Sequence, residues 1–478
     1  MTVVAPARNI ARSMALALVG LMLPAIALAA DFDGSRLSPL WGVPFAGILL
    51  SIALLPLIAP LFWHHHYGKV VAAWALAFLL PFAATFGLPL ALVQLVHALI
   101  AEYIPFIVLL AALFAVSGGI HIRGNLRGSP KLNTGILALG AVLASLMGTT
   151  GASMLLIRPL IRANDERKHK VHVIVFFIFI VSNIGGSLTP LGDPPLFLGF
   201  LKGVDFFWTA RNILPETLFM LAILLVLFYV LDTWYYRHGG KYPVDPTPDT
   251  KTIGIDGAVN FLLLAATIFF VLLSGLWKSP ISFDFLGTEV GLPSVVRDVA
   301  LIAIILLSLK ITASKVHFDN QFSWGPMLEV AKLFAGIFLT IVPVIAMLKA
   351  GVDGPFGAVV SAVTRPGGEP HPAMYFWATG ILSSFLDNAP TYLVFFNTAG
   401  GDPQALMTTY AMTLAALSAG AVFMGANTYI GNAPNLMVKA IAESRGVRMP
   451  SFFGYMLWSG AILVPLFVLV TFIFFHRS

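Results

Sequence analysis

Cysteine and charged residues are what this 478-residue sequence has least of. It contains no cysteine, which excludes a disulfide framework, a thiol nucleophile, an iron–sulfur cluster and a cysteine-based zinc site. Charged residues make up only 10% of the chain, hydrophobic residues make up 58%, and the mean hydropathy is +0.89. A soluble domain of this size needs far more polar surface, so the composition predicts a membrane protein.

Motifs for nucleotide and catalytic-metal binding are also missing. The chain has no Walker A motif, no G-x-G-x-x-G after a strand and no H-E-x-x-H. We therefore predict neither an enzyme nor an ATP-driven pump, and no cofactor beyond transported ions. The net charge of +6 could suggest a nucleic-acid partner, but the basic residues fall in loops between apolar stretches, so we expect a lipid bilayer instead.

Apolar stretches of about 20 residues, the length that a membrane-crossing helix requires, repeat along the chain. They predict an all-α polytopic membrane protein with about ten transmembrane helices. The predicted spans are 41–63, 69–87, 104–122, 171–201, 213–233, 257–277, 298–312, 326–349, 405–442 and 452–475. Residues 88–102 are too short and too close to their neighbour for a separate span, and we expect an interfacial helix there.

Two further apolar stretches, 134–157 and 373–397, are interrupted in the middle by Gly-Thr-Thr-Gly and Asp-Asn-Ala-Pro. We predict that both are re-entrant hairpins, which enter the membrane and leave it on the same side. The loop lysines and arginines gather on one side, the predicted cytoplasmic side, only when both stretches are hairpins. One full span in place of a hairpin would move every later loop across the membrane.

Two segments of distinctive composition flank the first half of the chain. Residues 1–30, with Arg8, Arg12, an apolar core and Ala27-Leu28-Ala29, predict a cleaved signal peptide or an uncleaved signal anchor. The Pro-rich polar segment 236–256 predicts a cytoplasmic linker. It divides the chain into halves 31–235 and 257–478, each with one hairpin (134–157, 373–397) and one broken helix (171–201, 405–442). This is the pattern of an inverted-topology repeat.

Each predicted broken helix contains glycine, proline and short polar residues. The segment T-P-L-G-D-P-P at 189–195 resembles T-Y-I-G-N-A-P at 428–434, which pairs Asp193 with Asn432. An unwound helix leaves backbone groups unpaired, which a bilayer tolerates only where they line a cavity or bind something. Carbonyls there can hold a cation, and half-helix N-termini favour an anion.

Asp193 and Asp387 are the sharpest candidates for a binding site. A charged Asp at the centre of a membrane helix costs roughly 2.5–3.5 kcal/mol, so we predict that both bind Na⁺ or a proton. Alternatively, both are helix N-caps that precede proline in the first turn. Further predicted ligands lie at the same breaks, where the asparagines could equally be neutral caps: Asn183, Asn388, Thr149, Thr150, Asn427, Thr428, Asn432, Thr189 and Thr391.

With these motifs the chain resembles the ion transporter superfamily. S-N-I-G-G followed by P-L-G-D-P-P, and F-L-D-N-A-P-T, are similar to its arsenite-permease and NhaD-type sodium/proton antiporter branches, and to bacterial proteins described as sodium/proton antiporters or citrate transporters. The resemblance implies a multi-pass protein of the bacterial inner membrane and a homodimer. It also implies a scaffold subdomain and a transport subdomain, the latter containing both hairpins and moving like an elevator.

Local chemistry favours one solute class within that family. A fixed carboxylate at a hairpin tip repels a di- or tricarboxylate and attracts Na⁺ or H⁺, so we predict sodium (cation)/proton antiport. The alternatives are sodium- or proton-coupled transport of citrate or another dicarboxylate, and arsenite-type efflux.

Overall fold

The computed structural model describes residues 33–240, 250 and 253–476. The predicted signal at 1–30 and most of the predicted linker lie outside the described residues. Before the linker the helices are α1 (Val43–Ile58), α2 (Pro60–Phe86), α3 (Leu88–His97), α4 (Ile104–Gly118), α5 (Pro130–Met147), α6 (Thr149–Ala163), α7 (Val171–Ile180), α8 (Pro194–Leu201), α9 (Trp208–Asn212) and α10 (Leu214–His238). A π-helix, Ala98–Tyr103, joins α3 to α4.

After the linker the helices are α11 (Val259–Leu276), α12 (Leu292–Ile311), α13 (Ser314–Asp319), α14 (Gly325–Thr340), α15 (Val342–Lys349), α16 (Gly357–Ala362), α17 (Pro372–Phe385), α18 (Asn388–Thr398), α19 (Pro403–Met407), α20 (Ala411–Met424), α21 (Ala433–Ser444) and α22 (Phe452–Val470). Two small antiparallel ladders complete the described fold. They pair β1 (His121–Arg123) with β2 (Gly254–Asp256), and β3 (Ser282–Phe285) with β4 (Thr288–Gly291).

The prediction of an all-α polytopic membrane protein is confirmed. Within the described residues, eight helices are long and apolar enough to cross a membrane, or nine if one bent pair is a single span. Their apolar windows differ in burial, from 17% in Pro60–Phe86 to 50% in Leu88–Gly118. The helix Pro60–Phe86 therefore has most of its surface exposed on the outside of the molecule, whereas half of the apolar window in Leu88–Gly118 is buried in the interior.

Two predictions about the spans are wrong. Residues 88–102 do not form a separate interfacial helix, because the π-helix carries them directly into α4 as one helical run of 31 residues, Leu88–Gly118. The first span ends at Ile58, because Pro60 begins a new helix there. The predicted span 326–349 matches the pair α14 and α15, which is bent by 43° next to Pro343.

Helix breaks occur at all four predicted motifs. Gly148, with a φ of 83°, separates α5 from α6, and Asp387 precedes α18. The helices α7 and α20 each run into a short 3-10 turn, at Ile184–Gly186 and Gly425–Asn427, before α8 and α21 begin. The second helix of each hairpin packs across the halves, α6 on α21 and α18 on α8. Re-entry into the membrane and the inverted orientation of the halves stay predictions.

A buried ion-pair cluster fixes the base of the first hairpin. The carboxylate of Asp232 on α10 accepts hydrogen bonds from Arg167 (2.5 Å) and from the Asn133 amide (2.9 Å). It also pairs with His172 Nε2 at 2.7 Å. Asn164 joins Asn133 to Arg167 through further hydrogen bonds. Because these residues lie at the start of α5, after α6 and at the start of α7, the cluster links the hairpin, the first broken helix and α10.

Candidate functional site

The two broken segments are built on the same hydrogen-bond plan. The hydroxyl of Thr189 donates to the carbonyl of Ser145, and that of Thr428 donates to the carbonyl of Ser384. Both bonds span 44 residues. In each segment the threonine hydroxyl also accepts the amide two residues later, at 3.2 Å. The threonines therefore tie each unwound segment to the first helix of its hairpin.

Two glycine pairs let each unwound segment fold back on itself. A Cβ placed on Gly192 would lie 2.1 Å from the carbonyl oxygen of Gly186, and one on Gly431 would lie 2.5 Å from that of Gly425. Gly192 also accepts the amide of Thr149 at the first hairpin tip, at 2.8 Å. The close approach of these backbones is what brings the tip and the broken helix together.

We expect Gly192→Ala to destabilise the protein by at least about 1–3 kcal/mol, because the added methyl group collides with backbone rather than with a flexible side chain. Thermal unfolding of the purified protein in detergent measures the effect. The control is Gly460→Ala on α22, where a Cβ meets no atom within 4 Å and alanine's higher helix propensity favours the variant. Equal melting temperatures for the two variants would contradict the close approach.

Asp193 is 1% exposed, and its carboxylate binds three neutral donors from three different segments. Oδ1 accepts the Thr149 hydroxyl at 3.0 Å and the Asn432 amide at 3.1 Å, and Oδ2 accepts the Asn388 amide at 2.5 Å. Although Asp193 precedes α8, its side chain makes no capping hydrogen bond. The neutral donors therefore orient the carboxylate of Asp193, but none of them is a cation that could neutralise a negative charge on it.

Asp387 is a helix N-cap, which was the alternative role predicted from the sequence. Its Oδ1 accepts the amide of Ala389 at 3.1 Å, and its backbone carbonyl accepts the Thr391 hydroxyl at 3.0 Å. The side chain is only partly buried. One carboxylate oxygen therefore remains for another partner.

The two acids occupy non-equivalent places in the repeat. Ser384 and Thr428 each lie 239 positions after their counterparts Ser145 and Thr189 in the first half. The same offset in the sequence pairs Thr149 with Asn388, Asp193 with Asn432, and Gly148 with Asp387. Each half therefore carries one acid, on the broken helix in the first half and at the hairpin tip in the second. The sequence pairing of Asp193 with Asn432 agrees with this geometry.

Both acids line one cavity of about 110 Å³. That is room for several water molecules, or for an ion with part of its hydration shell. The hairpin tips and broken helices supply its polar wall, including Thr149, Thr150 and Asn432. The opposite wall is apolar and comes from α4 and α14, with residues such as Leu113, Phe114 and Phe334. Within the described part of the chain, no lysine or arginine lines the cavity.

Asparagines join the two broken helices behind the cavity. Asn183 is fully buried, and its amide donates to the Ile178 carbonyl and to Asn435 Oδ1, both at 2.8 Å. The Asn432 amide in turn approaches Asn183 Oδ1 at 3.2 Å. The Asn435 amide donates to the carbonyls of Gly425 and Thr428 at 2.9 Å. These side chains replace the backbone hydrogen bonds that unwinding removes.

The predicted site residues divide into two groups. Those that touch Asp193 or line the cavity are Thr149, Thr150, Asp387, Asn388 and Asn432. The others make hydrogen bonds that shape the second hairpin tip, in the case of Thr391, or the broken segments, in the case of Asn183, Thr189, Asn427 and Thr428. Among the described residues, the buried side-chain oxygens of Asn388 and Asn427 have no hydrogen-bond donor.

Sequence reasoning missed Asn435 and the apolar wall. Asn435 stands in the same N-A-P-N run as Asn432, which was the available signal for its role. The apolar wall had no such signal, because leucine and phenylalanine on a membrane helix are ordinary residues whether they face lipid or a cavity.

A comparison with known protein families agrees with this architecture. A family model described as "Putative citrate transport" matches residues 34–475, nearly the whole chain. The chain belongs to this citrate-transport family. No curated protein matches the chain significantly. Membership in the citrate-transport family supports a secondary transporter rather than an enzyme, and it agrees with the predicted ion transporter superfamily.

Proposed function

We propose that this protein is a secondary active transporter that exchanges Na⁺, or a similar monovalent cation, for protons at the cavity between the hairpin tips. The observation that carries this proposal is the Asp387 carboxylate, which lines the cavity together with Asp193 where no lysine or arginine of the described chain is present. A low-dielectric cavity with two acids and no basic side chain attracts a cation and repels a polyanion.

An unpaired amide oxygen at the second hairpin tip suits a hard monovalent cation. The amide nitrogen of Asn388 donates to Asp193, and its buried Oδ1 has no donor in the described structure. In transporters with broken helices the unwound backbone carbonyls coordinate Na⁺, and the side-chain amide oxygen of asparagine is a ligand of the same kind. A carboxylate that takes either a proton or Na⁺, but not both, couples the two fluxes in opposite directions, which is antiport.

The arrangement of the walls supports a moving transport unit. The polar wall comes from hairpins and broken helices that pack on each other, and the apolar wall comes from α4 and α14. Sliding along apolar side chains breaks few hydrogen bonds, so the packed hairpins could carry an ion across. The elevator movement, the homodimer and the bacterial inner-membrane location belong to this proposal.

The second candidate is ion-coupled uptake of citrate or another organic anion, because the family description names citrate. In that case a bound cation would have to neutralise Asp387 before the anion enters. The two candidates therefore differ in whether a proton–sodium exchange occurs without any organic anion.

Proteoliposomes that contain a pH-sensitive dye distinguish the candidates. We expect an imposed Na⁺ gradient alone to drive proton movement, and we expect no accumulation of labelled citrate or succinate. Accumulation of labelled citrate without Na⁺-driven proton flux would replace the proposal with the second candidate. Flux of arsenite alone would move the protein to the efflux branch.

A further inference from the structure

A second cavity, which we call the basic basin, lies at the end of α6 opposite the hairpin tip. It has a volume of about 680 Å³, and the charged residues that line it are Arg162, Asp165, Lys168, Lys170, Arg445 and Arg448. Arg162 follows Thr149 by three and a half helical turns, which places the basin about 20 Å from the acidic cavity. Five of its lining residues are basic and one is acidic.

Arg158 lies one turn before Arg162 and is buried, with 7% of its surface exposed. Its Nε has no hydrogen-bond acceptor among the described residues, and its Nη1 reaches only the carbonyl of Met154, at 3.5 Å. No carboxylate of the described chain forms an ion pair with it. Arg445 and Arg162 are instead near enough to repel it. A buried guanidinium without a counter-charge is costly, so a partner is expected.

Helix dipoles account for only part of this cluster. Arg162 is in the last turn of α6 and Arg445 caps α21, where a cation is favourable in any protein. Arg162 also donates to the Ile122 carbonyl at 2.9 Å and is attracted by Asp165 and Asp319. Neither the helix dipole nor an ion pair accounts for the charge of Arg158, because Arg158 lies five residues before the end of α6 and inside the protein.

We propose that the basic basin binds a multivalent oxyanion, with a phosphate group held between Arg162, Arg445 and Arg448 and with the unpaired charge of Arg158 one helical turn away from Arg162. Guanidinium groups match the geometry of phosphate oxygens and form two parallel hydrogen bonds to them. The source is either free phosphate or the headgroup of an anionic lipid, for which Ile161, Val171 and Val447 provide apolar contact next to the charges. The site is separate from the acidic cavity, so the inference is independent of the transported solute.

Thermal unfolding of the full-length protein in neutral detergent tests the basin. We expect added inorganic phosphate to raise the melting temperature relative to chloride at equal ionic strength, and to saturate. Arg445→Gln removes charge-assisted hydrogen bonds, so the apparent phosphate affinity should fall at least about tenfold. Arg158→Gln should lower the affinity by a smaller factor, because Arg158 lies behind the basin wall and attracts the anion through its charge alone. A parallel series with phosphatidylglycerol against phosphatidylcholine shows whether lipid headgroups give the larger shift.

Arg36→Gln is the matched control, because Arg36 is 90% exposed and lies outside the basin; it should respond to phosphate as the wild type does. Without phosphate or anionic lipid, Arg158→Gln should unfold at a temperature no lower than wild type, because it removes an unpaired buried charge. The proposal is overturned if Arg158→Gln unfolds at a lower temperature regardless of phosphate, which would indicate a structural role. Equal phosphate responses in the wild type, Arg445→Gln and Arg158→Gln, or no wild-type response to phosphate or lipid, would also overturn it.

Discussion

Replacing Asp387 with asparagine is expected to weaken Na⁺ binding by about a thousandfold while the fold stays intact. A carboxylate about 4 Å from a monovalent cation contributes about 4 kcal/mol at an effective dielectric constant of about 20. Asparagine caps a helix as well as aspartate does, so the hydrogen bond from Ala389 should persist. The measurement is the Na⁺ dependence of proton flux in proteoliposomes, together with the melting temperature.

Asp402→Asn is the control for this experiment. Asp402 caps α19 in the same way, accepting the amide of Gln404 at 3.0 Å, but it is exposed and outside the cavity. Both variants should keep the wild-type melting temperature, and only Asp387→Asn should lose Na⁺-dependent flux. If Asp387→Asn transports like Asp402→Asn, Asp387 is only a cap. Increased citrate uptake in Asp387→Asn would favour the organic-anion candidate, because removing the charge removes repulsion.

Asp193→Asn is expected to lose both transport and stability. Three donors converge on the Asp193 carboxylate, whereas an asparagine offers a single acceptor oxygen and a competing amide. Each buried donor left without an acceptor costs about 1–3 kcal/mol. Na⁺-dependent flux should fall at least about tenfold because the fixed charge is gone. The melting temperature and the flux of the reconstituted variant are measured together.

A charge exchange separates the two effects of that substitution. In the wild type the Asn388 amide donates to the Asp193 carboxylate at 2.5 Å. The double variant Asp193→Asn with Asn388→Asp exchanges these two groups, so one carboxylate and one amide still face each other. We expect the double variant to regain stability but not flux, because its charge then sits next to Asp387. Recovery of flux along with stability would mean that Asp193 acts by holding the structure together.

The sequence by itself determined the class of protein and the positions of the breaks. Low charge and repeated apolar stretches sufficed for an all-α polytopic protein, because a bilayer leaves a helix few alternatives. The glycine, proline and asparagine motifs around Gly148, Asn183, Asp387 and Asn427 also marked the helix breaks, because those residues interrupt a helix by their own covalent chemistry.

Only the tertiary structure decided what the two acids do. In sequence Asp193 and Asp387 are alike, as acids near proline, and each could be a cap or an ion ligand. In the fold Asp387 caps a helix with one oxygen and meets the cavity, and Asp193 is enclosed by Thr149, Asn388 and Asn432. Asn388 and Asn432 come from the other half of the chain, and Thr149 is 44 residues away at the first hairpin tip, so no local pattern could reveal these partners. The same holds for Arg158, whose lack of a counter-charge depends on which elements pack around α6.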